Sequence, residues 1–362
     1  MLLSLRTSCH HWGMLMLTPT QISALGTPTA STASADRVKG MLLGLAIGDA
    51  LGNTSESMTP QERRQKHGQI VFYLPHRRAN NQQIGLPSDD TQLAFLTVKN
   101  LLEFGQLKPD ALAAEFAKKR IYGMGRTLRQ FKKNAKTPDP WQNWGTISVG
   151  NGALMRIAPS LLPHLKNPST DLWESTAIAA ATTHKGEAAI SSSVAFIAIL
   201  WDLLSATQTP HQSWWCEKYV QVAKIIEGNA PCPPRPGSPI ASWNRPIWQF
   251  VEQQVVPAIQ NNQSIVSAQG QWRYGSYILE TVPAVLHILA LCSNNPDQAI
   301  IRAVNDTRDN DTVAAIVGAA VGALHGASKF RSVWLENLSG RIASKDDGTV
   351  QKLTDAAVQM FV

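Results

Sequence analysis

The stretch DTRDNDTVAAIVG, Asp306 to Gly318, sets three carboxylates and two threonines in seven residues and then runs into small apolar residues. A second stretch, LPSDDTQLAF, sets Ser88, Asp89, Asp90 and Thr91 directly ahead of a helical pattern. A carboxylate at a helix N-terminus gains about 0.3 to 1 kcal/mol from the dipole, which accounts for one capping aspartate but not for two such clusters. Brought together, Asp89, Asp90, Asp309 and Asp311 would repel one another unless cations lay between them. Hard divalent cations take oxygen ligands, and two of them about 3.5 to 4 Å apart would neutralise the cluster and prepare a bridging water. The competing reading is a pair of independently capped helices. A calcium loop is excluded, because no aspartate here is followed by glycine at the sixth position and glutamate at the twelfth.

Two more polar clusters interrupt apolar helical contexts: GDALGNTSE, Gly48 to Glu56, and SVGNGALMRIAP, Ser148 to Pro159. In the latter, Gly150 and Gly152 flank Asn151 ahead of a short apolar run. N–H groups freed by glycine at a helix start make an anion seat suited to a diphosphate. His184, His287 and His325 stand alone on apolar helices, the setting of hydrogen-bonded interior histidines.

The elements that must position these groups read as helices. Val38, Met41, Leu42 and Leu45 repeat at helical spacing behind Asp36, an N-cap residue type. Gly40, Gly44, Gly48 and Gly52 recur every fourth residue. Each glycine costs a helix about 1 kcal/mol relative to alanine, so a bare row implies that another backbone or a ligand comes close. DTQLAFLTVKNLLEFG, PDALAAEFAKKRIYG, ESTAIAAATTH, EAAISSSVAFIAILWDLLS, ETVPAVLHILALC and VAAIVGAAVGALHG follow the same period, several apolar all round and therefore buried. Alternating strand-like runs are nearly absent. The expected fold is all-α, one large helical domain over residues 36–362 with loops carrying the polar chemistry.

Residues 1–35 read as a flexible N-terminal arm, almost without charge and rich in Ser, Thr, Ala and Pro. Arg6 and the run from Met14 to Leu17 imitate a signal peptide, but Pro19, Thr20 and Gln21 interrupt its core. Between Thr207 and Tyr274 the pattern loosens. There PCPPRPGSPIASWNRP reads as a surface excursion, which Trp214, Trp215, Trp243, Trp248 and Trp272 either anchor to the bundle or turn into a recognition surface.

The net charge of +7 is concentrated. Lys118, Lys119, Arg120, Arg126, Arg129, Lys132, Lys133 and Lys136 fall in one segment with no acid among them. That segment is either a solvated face or an anion-attracting wall beside a phosphate-bearing ligand. Nucleic acid is disfavoured because no recognition motif accompanies it. No apolar run approaches membrane-spanning length, so no transmembrane helix is expected. The cysteines show neither zinc nor disulfide spacing, and a cytoplasmic location is expected.

GDALGxxxE, (S/T)DDT, GNGxxMR and DxDTxAAIxGAxxGA, in this order over roughly Asp36 to Gly326, resemble the ADP-ribosylglycohydrolase family. That family includes dinitrogenase reductase-activating glycohydrolases and ADP-ribosylarginine hydrolases. The resemblance implies a centre of two Mg²⁺, or Mn²⁺, held by Ser88, Asp89, Asp90, Asp309, Asp311 and Thr312. It implies that Glu56 lies over the metals and positions or activates water, with Asp90 as the other catalytic candidate. Gly150, Asn151, Gly152, Met155 and Arg156 match the loop and helix that cradle ADP-ribose, and His184 and Tyr277 match residues near the ligand. The implied substrate is an ADP-ribosylated protein, linked through arginine in the favoured reading and through serine or another group in the alternative, with a relative that only binds as the remaining reading. Some bacterial relatives look like immunity proteins paired with an ADP-ribosyltransferase toxin, which residues 1–35 would then plug. Ser88 stands where threonine is usual, Thr307 and Arg308 replace two common glycines, and Asp306 has no assigned role.

Overall fold

The structure is a computed structural model that describes residues 17–342 and 347–362. Among these, the regular structure is helical, with four isolated β-bridges and no longer strand. The all-α expectation holds, as one helical domain.

At the centre, the helices Ala35–Gly52 and Asn310–His325 run antiparallel in backbone-to-backbone contact. Gly40 faces Gly322, Gly44 faces Gly318, Gly48 faces Ala314 and Gly52 faces Asp311, and a Cβ on any of the four would run into the opposing main chain. The glycine row therefore serves helix packing. It also sets the end of the first helix, and the Glu56 loop after it, against the start of the second, where Asp309 and Asp311 lie. The first helix begins at Ser34, whose hydroxyl accepts the Arg37 N–H at 3.3 Å. Asp36, expected as its cap, instead accepts from the Ser328 N–H and hydroxyl at 3.0 and 2.7 Å, tying the two helices at their other end.

Around this pair pack Asp89–Phe104, Glu187–Ser205 and Ile278–Cys292. Glu187–Ser205 corrects the expectation that no apolar run reaches spanning length. It is 19 residues long with mean hydropathy 1.8, and 83% of its apolar window is buried in the protein interior.

The arm reading is also revised for its described part. Pro19–Leu25 is a helix closed by a Thr18–Gln21 capping box. The indole N–H of Trp173 donates to Gly26 O at 2.7 Å, that of Trp201 to Thr29 O at 3.1 Å, and the Gln21 amide to Ile225 and Ile226 carbonyls. Residues 17–34 are thus docked by indole donors that composition does not reveal, while residues 1–16 lie outside the described residues.

The region from Thr207 to Tyr274 is more helical than expected, with Trp214–Glu227, a π-containing helix over Ile247–Gln260, and Ile265–Trp272. Trp215, Trp248 and Trp272 are buried, so these tryptophans anchor the excursion. Its proline-rich part stays non-helical and carries Arg235 to the rim of the central pocket.

Candidate active site

Two helix starts and one loop meet at a pocket of about 360 Å³. Asp89 and Asp90 open the helix Asp89–Phe104, Asp309 precedes Asn310–His325, and Asp311 lies in that helix's first turn. Glu56 follows the short turn Asn53–Ser55. Carboxylate oxygens of Glu56, Asp309 and Asp311 all lie within 4.8 Å of one another, and Asp89, Asp90 and Thr312 line the same pocket. Ser88 lines an adjoining cavity that shares Glu56 and Gly123 with it.

Asp49, whose role sequence reasoning missed although GDALG displays it, holds the Asp89 helix in place. Its buried carboxylate accepts from the Ser88 hydroxyl at 2.6 Å, the Ser88 N–H at 2.8 Å, the Thr91 hydroxyl at 2.6 Å and the Thr91 N–H at 3.1 Å. With its proton held by Asp49, the Ser88 hydroxyl keeps its lone pairs for another partner.

Arg63 does the equivalent for the other loop, and nothing in QERRQKH marked it out. Fully buried, it donates to Ser55 Oγ at 3.0 Å and Met58 O at 3.0 Å on the Glu56 side. On the Asp309 side it donates to Thr307 O at 2.8 Å and Asn305 O at 3.2 Å. Asn310 adds bonds to Gly52 O and Ser55 Oγ, both at 3.0 Å.

Thr307 and Arg308 now have a structural account. The Thr307 hydroxyl donates to Ala303 O at 2.7 Å, and the Arg308 and Asp309 N–H groups both donate to Tyr274 O. Every φ here is negative, so the loop does not require glycine. Asp306 pairs with Arg302 at 2.6 Å, away from the cluster.

Asn151 bridges the glycine loop to the acids. Its amide donates to Asp309 Oδ2 at 2.6 Å and Thr281 Oγ1 at 2.9 Å, while its backbone N–H donates to Ser276 O. Gly150 pairs with Tyr277 in an isolated bridge, and Gly152 lies so close under the His184 ring that a Cβ would meet it at 2.8 Å. Gly150, Gly152, Met155, His184 and Tyr277 all line the pocket.

Two expectations are refined. The helix implied after the glycine loop is a single 3₁₀ turn, Leu154–Arg156. Arg156 points into the core, donating to Ala179 O and Thr183 Oγ1 with its guanidinium over Phe116, and it does not line the pocket. Arg235, which sequence reasoning passed over, does line the pocket: it pairs with buried Glu280 at 2.9 Å and lies 4.1 Å over the Tyr277 ring.

Burial dominates the electrostatics. It raises Asp309 to about 6, and it raises Asp89, Asp90 and Asp311 well above the carboxylate range, with mutual repulsion adding to the effect. Glu56 reaches solvent at the rim, yet partial burial of its carboxylate, then Asp309 and Asp49, raise it to about 7. Burial beside Arg156 lowers His184 to about 3, keeping it neutral. Asp90 Oδ1 is buried without a hydrogen-bond partner. An all-oxygen set of this kind, crowded and under-satisfied, can be neutralised by protons or by hard cations.

The family model for ADP-ribosylglycohydrolase matches residues 30–361. The chain is 26% identical to the ADP-ribosylarginine hydrolase Tri1 of Pseudomonas putida, over 84% of this chain and 74% of that one. It is 26% identical to the ADP-ribosyl-dinitrogen reductase glycohydrolase of Rhodospirillum rubrum, over 85% and 92%, and 24% identical to the ADP-ribosylhydrolase ARH3 of Mus musculus, over 85% and 88%. A solved structure of an ADP-ribosylglycohydrolase-related protein complex shares the fold, with TM-score 0.58 and 24% identity over 90% of this chain and 97% of that one. The protein belongs to the ADP-ribosylglycohydrolase family, hydrolases that remove ADP-ribose from its conjugates.

Proposed function

We propose that the protein is a divalent-metal-dependent hydrolase that releases ADP-ribose from arginine side chains of modified proteins. The observation that carries this reading is the meeting of Glu56, Asp309 and Asp311 within 4.8 Å beside Asp89 and Asp90, at the end of a pocket whose other wall is the glycine loop.

The donor set fits a pair of hard cations: four buried carboxylates, two hydroxyls, and one buried carboxylate oxygen, Asp90 Oδ1, without a partner. Ser88, Asp89, Asp90, Asp309, Asp311 and Thr312 would hold two Mg²⁺ or Mn²⁺. When bound, such ions polarise an anomeric centre and lower the pKa of water.

The chain's own groups do the rest. The glycine loop from Gly150 to Gly152 receives the diphosphate, and Tyr277 and neutral His184 border the sugar. Asn151 orients Asp309 through its 2.6 Å bond. Glu56, whose carboxylate lies within 4.8 Å of those of Asp309 and Asp311, takes a proton from the attacking water. The C1″–N bond breaks, the water oxygen bonds to C1″ and keeps its second proton, and the departing guanidine nitrogen gains the proton that Glu56 took up. The names of the Pseudomonas and Rhodospirillum relatives favour arginine as the acceptor.

A serine-linked conjugate is the second reading. The wall formed by Gly123, Gly125, Arg126, Thr127 and Leu128 offers a guanidinium and no carboxylate to an incoming arginine. A toxin-plugging role, if the chain serves in immunity, would fall to residues 1–16, since residues 17–34 are engaged with the domain.

The test incubates arginine-ADP-ribosylated and serine-ADP-ribosylated protein with wild type and Asp309→Ala, each with and without Mg²⁺. Mg²⁺-dependent release from arginine by wild type alone is expected. Equal release by both variants would overturn the metal assignment, and release from serine only would move the acceptor to the second reading.

A further inference from the structure

Glu56 and Gly123 line two cavities at once. One is the pocket closed at its far side by Gly150, His184 and Tyr277. The other, about 590 Å³, opens beyond Glu56 and is walled by Asn53, Thr54, His76, Arg77, Arg78 and Ser88. Glu56 thus stands at the junction of two chambers. A conjugate of ADP-ribose also has two parts, and hydrolysis takes place where they join. With ADP-ribose against the glycine loop, the modified residue and its flanking chain extend into the second chamber; this step rests on the proposed reaction.

Two cations line the second chamber, Arg77 and Arg78, and further arginines stand behind Arg78. His76 Nδ1 accepts the Arg78 N–H at 3.0 Å, and the His76 N–H donates to Gln82 O at 3.1 Å, closing a tight turn that presents Arg77 and Arg78. The Arg78 guanidinium lies 4.2 Å over the Tyr122 ring, with those of Arg341 and Arg120 at 4.6 and 5.2 Å from the same ring. Tyr122 is itself pinned: its N–H donates to Gln92 Oε1 at 2.8 Å, and Gln92 Nε2 donates to Arg120 O and Ile342 O. Gln92 lies two residues after Asp90 on the same helix, so the arginine cluster and the carboxylates share one rigid reference.

Arg77, Arg78 and Arg120 are exposed, and among the described residues no ion pair joins any of them to an acid. Guanidinium forks of this kind match carboxylates and phosphates. Because guanidinium groups cover the Tyr122 ring, it offers no free face on which a nucleobase could stack. Charge favours an acidic occupant, and the chamber's place beyond Glu56, on the acceptor side of the bond to be broken, makes that occupant the flanking peptide.

We propose that this chamber is the acceptor-side cleft, and that it selects protein substrates whose modified residue is flanked by aspartate or glutamate. The charge attracts the flanks, while the reacting atoms stay with the carboxylate cluster.

The test compares free ADP-ribosylarginine with two ADP-ribosylated peptides of equal length, one with acidic and one with neutral flanks, on wild type and on R77Q/R78Q. For wild type, KM for the acidic peptide is expected to be about tenfold below that for the neutral one, with the gap narrowing as NaCl rises from about 50 to 300 mM. In R77Q/R78Q, KM for the acidic peptide rises to the neutral value while kcat holds, and R77K/R78K restores part of the preference. An unchanged melting curve shows that the exposed turn has not cost the fold. Equal KM values in wild type, or a preference that survives in R77Q/R78Q, would overturn the cleft assignment alone. Failure to cleave free ADP-ribosylarginine or either peptide would overturn the arginine reaction and the cleft with it.

Discussion

Arg63 and Thr307 meet at 2.8 Å, the buried guanidinium donating to the carbonyl just ahead of the Asp309 loop. Since the same guanidinium also binds Ser55 and Met58, it fixes Glu56 relative to Asp309 and Asp311. Burial lowers its pKa to about 10, so it remains charged at neutral pH. Arg63→Met would leave several carbonyls without donors and cost about 2 to 4 kcal/mol. Urea unfolding checks the stability, and release of ADP-ribose at saturating Mg²⁺ checks the expected fall in turnover. A variant with wild-type values in both would show that the loops need no such tie.

Asp49→Asn is expected to be severe despite its small change in shape. The carboxylate receives four donors from Ser88 and Thr91, and an amide must turn one of its own donors toward them. Hydrogen bonds to a charged group contribute about 1.5 to 3 kcal/mol, so a loss of at least that order should appear in a denaturant melt. Mg²⁺ affinity should fall with it, because Ser88 and Asp89 lose their fixed positions. Retained affinity would count against Asp49 as the organiser.

The two central helices predict opposite outcomes for two glycine substitutions. Gly44→Ala places a methyl against the Gly318 carbonyl and should destabilise by about 1 to 3 kcal/mol or more. Gly270→Ala, exposed in the helix Ile265–Trp272 with nothing within 4 Å, should stabilise by roughly 0.4 to 1 kcal/mol. Thermal melts of both variants decide the matter. A neutral Gly44→Ala would mean that the helices can part without cost.

Glu227 gives a pH signature remote from the acid cluster. Burial raises its pKa from 4.5 to about 7, against the opposing bonds from Ser191, Trp248 and Ile247. The folded protein keeps a proton there that the unfolded chain releases above about 4.5. The stabilisation is full below that pH and is lost as pH rises toward 7, by roughly 3 kcal/mol at about 1.4 kcal/mol per unit. Glu227→Gln, which cannot ionise, should therefore gain on wild type between pH 5 and pH 7. Parallel stability curves would refute the assignment.

Cation binding should be visible without catalysis. At a concentration about 100 times its Kd, a ligand specific to the folded state adds about 2.7 kcal/mol, enough to raise Tm by several degrees. Mg²⁺ is expected to do this for wild type and not for Asp309→Ala or Asp90→Asn, and EDTA should reverse it. A Tm indifferent to Mg²⁺ and Mn²⁺ in wild type would remove the metal reading.

The helical period and the glycine row were legible in the chain because they are local: a 3.6-residue repeat and a missing side chain every fourth residue depend on neighbours in sequence. The same holds for SDDT and DTRDNDT as clusters of one chemical type, whose family resemblance could be read residue by residue. What sequence could not supply was convergence. Asp49 gains its meaning only when Ser88 and Thr91 are folded onto it, across 39 and 42 positions. Arg63 does so only when Thr307, 244 positions away, meets it. Arg156 had the residue type expected of a ligand contact, yet it points into the core, while Arg235 reaches the pocket from a proline-rich loop without periodicity. Residues 17–34 carried the composition of a free tail, and two distant indole donors dock them. Sequence determined which residues could do chemistry and which helices could carry them. Tertiary packing alone decided which of them meet, because burial, charge crowding and hydrogen-bond satisfaction depend on contacts between distant segments.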